Sequence, residues 1–524
     1  MSRIWSPQQL GIFGWFEGDV AAVASALLAS GLAADMAEAI VKAKALIVRA
    51  RAGTGKTTTI LEAVHRAPEQ RILVAAFNAS IKDELARRNQ NPNVEAKTLH
   101  GVGFAHVRRY WEGVNVCRPE RLRVDALVDE VCGGQVPDAV RRLVGKLCTN
   151  GREIVPHAAA WQDLLDVAQA HECVPDEEWE DAGFSADFVC ARALDAMVLA
   201  AEKKPKDGID YADMLYLPVR NGWLRKMWDL VVVDEAQDMT VTQLEIAVGS
   251  CTGRMCVVGD DRQAIYGFRG ADSDSLDRLK AELKAAELGL TTTYRCGRVI
   301  AERAAVLVPD FEAAPTNHEG EIVTGPTIEG LAKVAEPGDW VLSRTNAPLV
   351  KVAMALLRSN KRARVMGRDV GAGLKALAKK LMTGKASQSI PALLERLARW
   401  EERELERAST AKNADTLSEA IRDKAETLRV IVDGVTGPRE MEARLDHLFS
   451  DDPEAAAVTC SSVHKAKGRE AERVFVLRDT LCPTFKRDKP VDPTTAAKRA
   501  REEANIEYVA VTRAIRTLVW VSGK

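Results

Sequence analysis

Eight short apolar runs recur along the chain: 45–48 (ALIV), 71–77 (RILVAAF), 229–236 (DLVVVDEA), 254–260 (RMCVVGD), 339–345 (DWVLSRT), 457–464 (AVTCSSVH), 473–477 (RVFVL) and 517–522 (TLVWVS). Runs this short and this uniformly apolar suit strands buried on both faces, as in parallel sheets. Each is followed by a helical pattern or a polar turn, and that alternation predicts α/β layers. Two regions break the rhythm. From about Gly103 to Asn221 the pattern is helical. From about Leu374 to Ser450 it is helical and strongly charged, with Leu393, Leu394, Leu397 and Trp400 at helical spacing and the charges suited to a solvated face.

Composition narrows the picture only a little. A chain of 524 residues predicts three or four domains at about 150 residues each. The formal charge of −2 carries no global basic signal, so a nucleic-acid partner would have to be held in a local groove. The ten cysteines form no C-x-x-C pair, and no histidine cluster accompanies Cys251 and Cys256, so reduced thiols are expected rather than a zinc or iron–sulfur site. The first residues lack a basic segment followed by a long apolar run, and no window approaches the roughly eighteen apolar residues of a membrane span. A soluble, cytoplasmic protein with no membrane partner is expected.

The stretch ALIVRARAGTGKTTTI, 45–60, carries the first chemistry. A buried strand runs into a small-residue loop. Gly53 and Gly55 permit backbone conformations that other residues resist, so successive N–H groups can curl around phosphate oxygens at a helix N-terminus. Ala52, Gly53, Thr54, Gly55, Lys56, Thr57 and Thr58 form the predicted nucleotide loop. Lys56 supplies a point charge for the β and γ phosphates, and the Thr57 hydroxyl suits a magnesium ion. Ala50 stands where the G-x-x-x-x-G-K-[ST] pattern has its first glycine. A phosphate loop alone leaves kinases, GTPases and motors open. The second acidic element, VVVDEAQD, narrows this. Asp234 at the end of a buried strand can hold Mg²⁺ through water, and Glu235 can take a proton from the water attacking the γ-phosphate.

With these elements in place, the chain resembles the superfamily 1 helicases of the UvrD/Rep type, from Gln9 to Arg513 with the motifs in order. SPQQLGIF looks like the adenine-reading Q motif, with Gln9 as reader. VGDDRQAIYGFRGA (258–271) resembles motif III. By that resemblance Gln263 senses the γ-phosphate, Arg269 sits between nucleotide and DNA, and Tyr266 and Phe268 face the single strand. LTTTYRCGRVI (290–300) resembles motif IV, with Tyr294 stacking on the base and Arg295 reaching the γ-phosphate. In SSVHKAKGREAERVFVL (461–477), similar to motif V, Glu470 is expected near the ribose. In EYVAVTRAI (507–515), similar to motif VI, Arg513 is expected as a second arginine finger. The resemblance also implies a DNA track: Phe77 and Asn78 in motif Ia, Thr98 and His100 in motif Ib, Arg344 and Asn346 in SRTNAPL, and His464 and Lys465 in motif V. GIDYADMLYLP (208–218) resembles a segment that precedes the Asp-Glu motif, and no chemistry is assigned to it.

The resemblance implies an α/β fold of two RecA-like parallel-sheet P-loop NTPase domains, each with a mainly helical insertion. The expected division is 1–103 with 221–280 for the first domain, 104–220 for its insertion, 281–374 with 451–524 for the second domain, and 375–450 for a reduced second insertion. ATP and Mg²⁺ are the implied cofactors. Single-stranded DNA and single/double-strand junctions are the implied partners, with replication or repair proteins beside them. The implied activity is ATP-dependent 3′→5′ helicase action. The alternative is a single-strand translocase that displaces bound proteins without processive unwinding, and a non-motor P-loop switch is a third reading. Departures from the family pattern include Ala79 and Ser80 after Asn78, Thr293 and Cys296 in motif IV, and Arg469 in motif V. The short chain would suit a phage or mobile-element member, and with Lys524 as its end no nuclease-like extension is expected.

Overall fold

The computed structural model describes residues 4–76, 79–118, 122–175, 177–265, 275–382, 389–409, 414–449, 457–481 and 493–522. The chain divides into two compact units, one of residues 1–51 and 55–290, the other of 52–54 and 291–524.

The first unit is built on a six-stranded sheet. Its strands are β1 (Ala45–Ala50), β2 (Ile72–Ala76), β3 (Val94–Thr98), β4 (Trp228–Val233), β5 (Cys251–Gly259) and β6 (Ala286–Leu290). They are ordered β3-β2-β4-β5-β1-β6, and every pairing is parallel. The side-chain period of two puts alternate residues on opposite faces. Leu46, Val48, Leu230 and Val232 enter one apolar cluster. Ala45, Ile47, Val231 and Val233 enter another on the other face. That is why these runs are apolar throughout rather than alternating. β6 hydrogen-bonds to β1, so the first sheet takes in residues beyond the expected boundary at 280.

Between β3 and β4 runs a series of helices, from Leu99–Tyr110 to Tyr211–Arg220. They bury a cluster of their own that includes Val144, Leu147, Val189, Ala193 and Met197. Inside it, Arg152 donates to Asp210 at 3.1 Å and to Asp213 at 2.7 Å, and Arg123 pairs with Asp213 at 3.0 Å. The GIDYADMLYLP segment supplies those carboxylates, and Asp210 also caps its helix by accepting from the Asp213 N–H.

The second unit opens with a two-stranded pair, β7 (Thr292–Thr293) and β8 (Glu312–Ala313). Its main sheet comprises β9 (Glu321–Thr324), β10 (Trp340–Ser343), β11 (Ala363–Val365), β12 (Val458–Ser462), β13 (Ala471–Leu477) and β14 (Ala514–Val521). The order is β11-β12-β10-β13-β14-β9, again all parallel. The helices Ile390–Ala408, Ala414–Val432 and Pro438–Leu448 lie between β11 and β12 in sequence. Their apolar residues, among them Leu393, Leu397, Leu428 and Leu445, share one cluster with the sheet residues Val341, Val365 and Phe475. Leu394 is exposed, so the buried stripe is narrower than the helical spacing alone predicts. Among the described residues no helix is long and apolar enough to cross a membrane.

Candidate functional site

Parallel strands end on one edge of a sheet, and ligands of open α/β sheets gather outside those carboxyl ends. In the first sheet the neighbours β4, β5 and β1 end in turn at Asp234, at Asp260 and in the predicted phosphate loop. Sheet order therefore brings together three motifs that are far apart in sequence.

The loop has the expected backbone. Gly53 and Gly55 have φ of +71° and +80°, in the left-handed region that favours glycine. The helix Lys56–Arg66 starts directly after Gly55, so its unpaired N–H groups face the loop. Ala52 and Thr54 are buried, while Thr57 and Thr58 are half-exposed in the first turn. Thr58 Oγ1 accepts from Arg88 at 3.0 Å.

Lys56 Nζ lies 2.7 Å from Glu235 Oε1 and 2.8 Å from Oε2. Burial opposes the lysine charge, yet Glu235, Asp234 and Asp260 raise its pKa above the usual lysine value. Asp234 is buried. Burial and the neighbouring Glu235 push its carboxyl up to about 7. Glu235 lies past the end of β4, with a left-handed φ of +53°. It therefore sits in a strained turn rather than in the strand, of the kind that persists where the surroundings hold it. The hydroxyl of Thr57 and the carboxylate of Asp234 are hard oxygen donors, and that donor set fits magnesium.

Gln9 sits in the helix Pro7–Glu17, and Ser6 and Gln9 form a reciprocal capping box. Gln9 Oε1 accepts from the Ser6 N–H at 3.0 Å, and Nε2 donates to Thr59 Oγ1 at 3.0 Å. Thr59 in turn donates to the Gly55 carbonyl at 3.0 Å. The side chain thus ties the first helix to the helix of the phosphate loop. Gln263 Nε2 donates to Asp260 at 2.7 Å.

Of the predicted track in this unit, Thr98 ends β3, and its hydroxyl caps the helix Leu99–Tyr110 by accepting from the Gly101 N–H. His100 packs edge-on against Tyr211 at 6.0 Å, and burial lowers its pKa. Phe77, Asn78, Tyr266, Phe268 and Arg269 lie outside the described residues.

In the second unit the predicted residues fall at opposite ends of the sheet. Arg513 immediately precedes β14 and Glu470 immediately precedes β13, two strands that start level with each other. Arg295 pairs with Glu470 and donates to the Thr512 carbonyl at 3.4 Å. Arg513 is buried and donates to the carbonyls of Val509 and Arg469, both at 3.0 Å. Burial and then Arg295 bring its pKa down to about 10. Tyr294, beside Arg295, is exposed.

At the carboxyl ends, Ser343 of β10 is level with Ser462 of β12, and the other predicted DNA contacts follow directly. Arg344 bonds to Glu419 at 2.9 Å and Glu503 at 3.2 Å. The Asp423 carboxylate accepts from the main-chain N–H of Asn346 and of Ala347 and from the Asn346 side chain, all at 2.8–3.0 Å. Lys465 pairs with Asp369, and His464 is half-buried beside it.

Sequence reasoning passed over Arg49, Arg51, Gln237 and Asp260. Two arginines spaced by two at the end of a buried strand, with paired aspartates ending another, were the available signal.

The family model for the UvrD/REP helicase N-terminal domain matches residues 33–284, and that for the UvrD-like helicase C-terminal domain matches residues 377–522. The F-box DNA helicase 1 of Gallus gallus is 25% identical over 500 residues, covering 90% of this chain and 47% of the relative. The ATP-dependent DNA helicase Rep of Escherichia coli is 35% identical over 333 residues, 54% of this chain and 47% of the relative. The F-box DNA helicase protein 1 of Schizosaccharomyces pombe is 26% identical over 285 residues, 50% of this chain and 30% of the relative. The chain thus spans less than half the length of these curated relatives. With a phosphate loop and an Asp-Glu pair on one edge of the first sheet, two RecA-like parallel sheets and both family domains matched in order, the chain belongs to the UvrD/Rep-type superfamily 1 helicases.

Proposed function

We propose that the protein is an ATP-dependent DNA helicase that moves 3′→5′ along single-stranded DNA, coupling hydrolysis in a cleft between its two RecA-like domains to strand separation. The observation that carries this reading is the Lys56–Glu235 pair, brought together from the ends of β1 and β4, the two strands that flank β5. A lysine placed for β and γ phosphates stands against the carboxylate placed to activate water, and an entering triphosphate would take Lys56 and release Glu235 as base. The loop residues 52–58 cradle the phosphates, with Gln9 and Tyr294 toward the base and Glu470 toward the ribose. Thr57 and Asp234 would hold Mg²⁺, which when bound neutralises charge on the phosphates. Gln263 faces the γ-phosphate. Arg295 and Arg513 stabilise the transferring phosphoryl group when the domains close. DNA would lie against Phe77, Asn78, Thr98, His100, Tyr266, Phe268, Arg269, Arg344, Asn346, His464 and Lys465, and a strand junction is the preferred substrate. The domain division given above, with the first domain carried on to take in β6, is part of this proposal, as is a cytoplasmic setting with replication or repair partners.

A second reading, a translocase that strips proteins from single strands, draws support from the second insertion. Its helices merge into the core of the second sheet rather than forming a body of their own. Unwinding of duplexes with a 3′ tail, a 5′ tail or none, beside streptavidin displacement from a biotinylated strand, separates the two. Lys56→Ala is expected to abolish DNA-stimulated ATP turnover. Turnover that ignores both this substitution and DNA would end the helicase and translocase readings alike.

A further inference from the structure

Arg51 stands immediately before the phosphate loop, between β1 and Ala52. It is buried. Its Nη1 donates to Asp260 Oδ1 at 3.0 Å and to Asp261 Oδ1 at 2.7 Å. Arg49, two residues earlier and so on the same side of β1, also pairs with Asp261, at 3.4 Å, and with Asp277 and Glu287. Asp261 is also paired with Arg262, at 3.6 Å, so several cations surround it. Asp260 is fully buried and forms its ion pair with Arg51 at 3.0 Å.

Asp260 is held from several directions. Its Oδ1 also accepts from the Arg262 N–H at 3.1 Å, and its own N–H donates to Gln237 Oε1 at 3.0 Å. Gln237 Nε2 donates to Glu235 at 2.6 Å. Gly259 makes that approach feasible, because a Cβ there would lie 2.7 Å from Gln237 Oε1. The remaining oxygen, Oδ2, accepts from Gln263 Nε2 at 2.7 Å. A carboxylate has no proton to give, so the NH₂ end of the Gln263 amide must face Asp260 and the carbonyl end must face away from it.

We propose that Arg51 is a positioning residue for ATP hydrolysis: it holds the Asp260 carboxylate in place, and Asp260 sets the direction in which the Gln263 amide faces. The inference rests on the function proposed above, in which Gln263 acts at the γ-phosphate. With its NH₂ end committed to Asp260, Gln263 presents a carbonyl oxygen, the group that can accept a hydrogen bond from an attacking water. A buried carboxylate that loses its cation is strongly destabilised and neutralises or moves. Burial already raises the Asp260 pKa in spite of Arg51 and Lys56. A neutral Asp260 could donate to Gln263, and the amide would then be free to turn over.

The test is a double-mutant cycle on DNA-stimulated ATP turnover with Arg51→Met, Gln263→Ala and the two combined, and with Lys56→Ala as reference. Arg51→Met is expected to lower kcat at least about tenfold while KM for ATP stays within about twofold, the pattern of an interaction made in the transition state. The combined variant is expected to turn over within about twofold of Gln263→Ala alone, because coupled residues do not add. A kcat near wild type for Arg51→Met, or losses that multiply in the double variant, would overturn the proposal. Should Arg51→Met melt below the assay temperature, Asp260→Asn supplies the same cycle: loss non-additive with Gln263→Ala supports it, and undiminished turnover overturns it. An active Lys56→Ala enzyme would instead bring down the ATPase reading beneath it. An inactive Lys56→Ala with a normal Arg51→Met removes only the role of Arg51.

Discussion

The two sheets share parallel pairing and six-strand size, yet they carry the proposed chemistry differently. In the first, everything lies along one edge: strand ends in the order β3-β2-β4-β5-β1 run from Thr98, through the Asp-Glu pair and Asp260, to the phosphate loop. In the second, the residues proposed for nucleotide, Glu470 and Arg513, precede strands, while those proposed for DNA, Arg344, Asn346, His464 and Lys465, follow them. A strand of four to eight residues spans very roughly 13 to 26 Å at about 3.3 Å per residue, so one set sits a strand length from the other. The difference teaches that a sheet can separate two ligands either by strand order along an edge or by strand length across it. Across a strand, each set can be altered without direct contact with the other.

The largest expected effect tests that separation at the amino ends. Arg513→Ala should slow DNA-stimulated hydrolysis by about a hundredfold or more, in line with the loss of an arginine finger, while single-strand affinity stays within about twofold. Parallel loss of both, measured by ATP turnover and by fluorescence anisotropy of a labelled oligonucleotide, would break the comparison.

A smaller, opposite effect is expected at the carboxyl ends. Arg344→Ala should weaken single-strand binding severalfold and reduce its salt dependence by about one ion, with basal turnover unchanged. Glu419→Gln, which removes one of the two carboxylates on Arg344, should strengthen binding by a few-fold. Anisotropy titrations at several salt concentrations read both, and an unaltered affinity in both variants would remove Arg344 from the track.

The last prediction concerns stability rather than rate or binding, in the helix Leu99–Tyr110 that follows β3. His106 is fully buried, with Nε2 2.9 Å from Ser250 Oγ, and burial and then Arg109 bring its pKa down to about 4. The folded state therefore binds this proton less readily than the unfolded chain, whose histidine titrates near 6.5. The stability from a neutral His106 is present above that value and is lost as pH falls toward 4. The loss is at most about 3 kcal/mol. Urea melts between pH 7 and pH 4 should show a shallower decline for His106→Gln than for wild type, and equal slopes would exclude the histidine as the cause.

Much of this was legible beforehand, for reasons that lie in single stretches of chain. All eight apolar runs are strands, because a strand buried on both faces needs an unbroken apolar sequence. The phosphate loop could be read because Gly53 and Gly55 must take left-handed conformations beside Lys56. The edge strands β3, β6, β9 and β11, and the short pair β7 and β8, were not anticipated. β3 reads VEAKT and carries little apolar signal, and edge positions in both sheets hold such strands because only one neighbour is there to bury them.

The amino-acid sequence by itself determined the strand cores, the phosphate-loop backbone and the family, since each depends on residues close together or on motifs in a fixed order. Only the tertiary structure decided that Arg51 meets Asp260, that Arg344 faces Glu419 and Glu503, and that Lys56 meets Glu235. Those outcomes depend on which strand lies beside which and on what fills the space between, and partners separated by scores or hundreds of residues leave no local pattern.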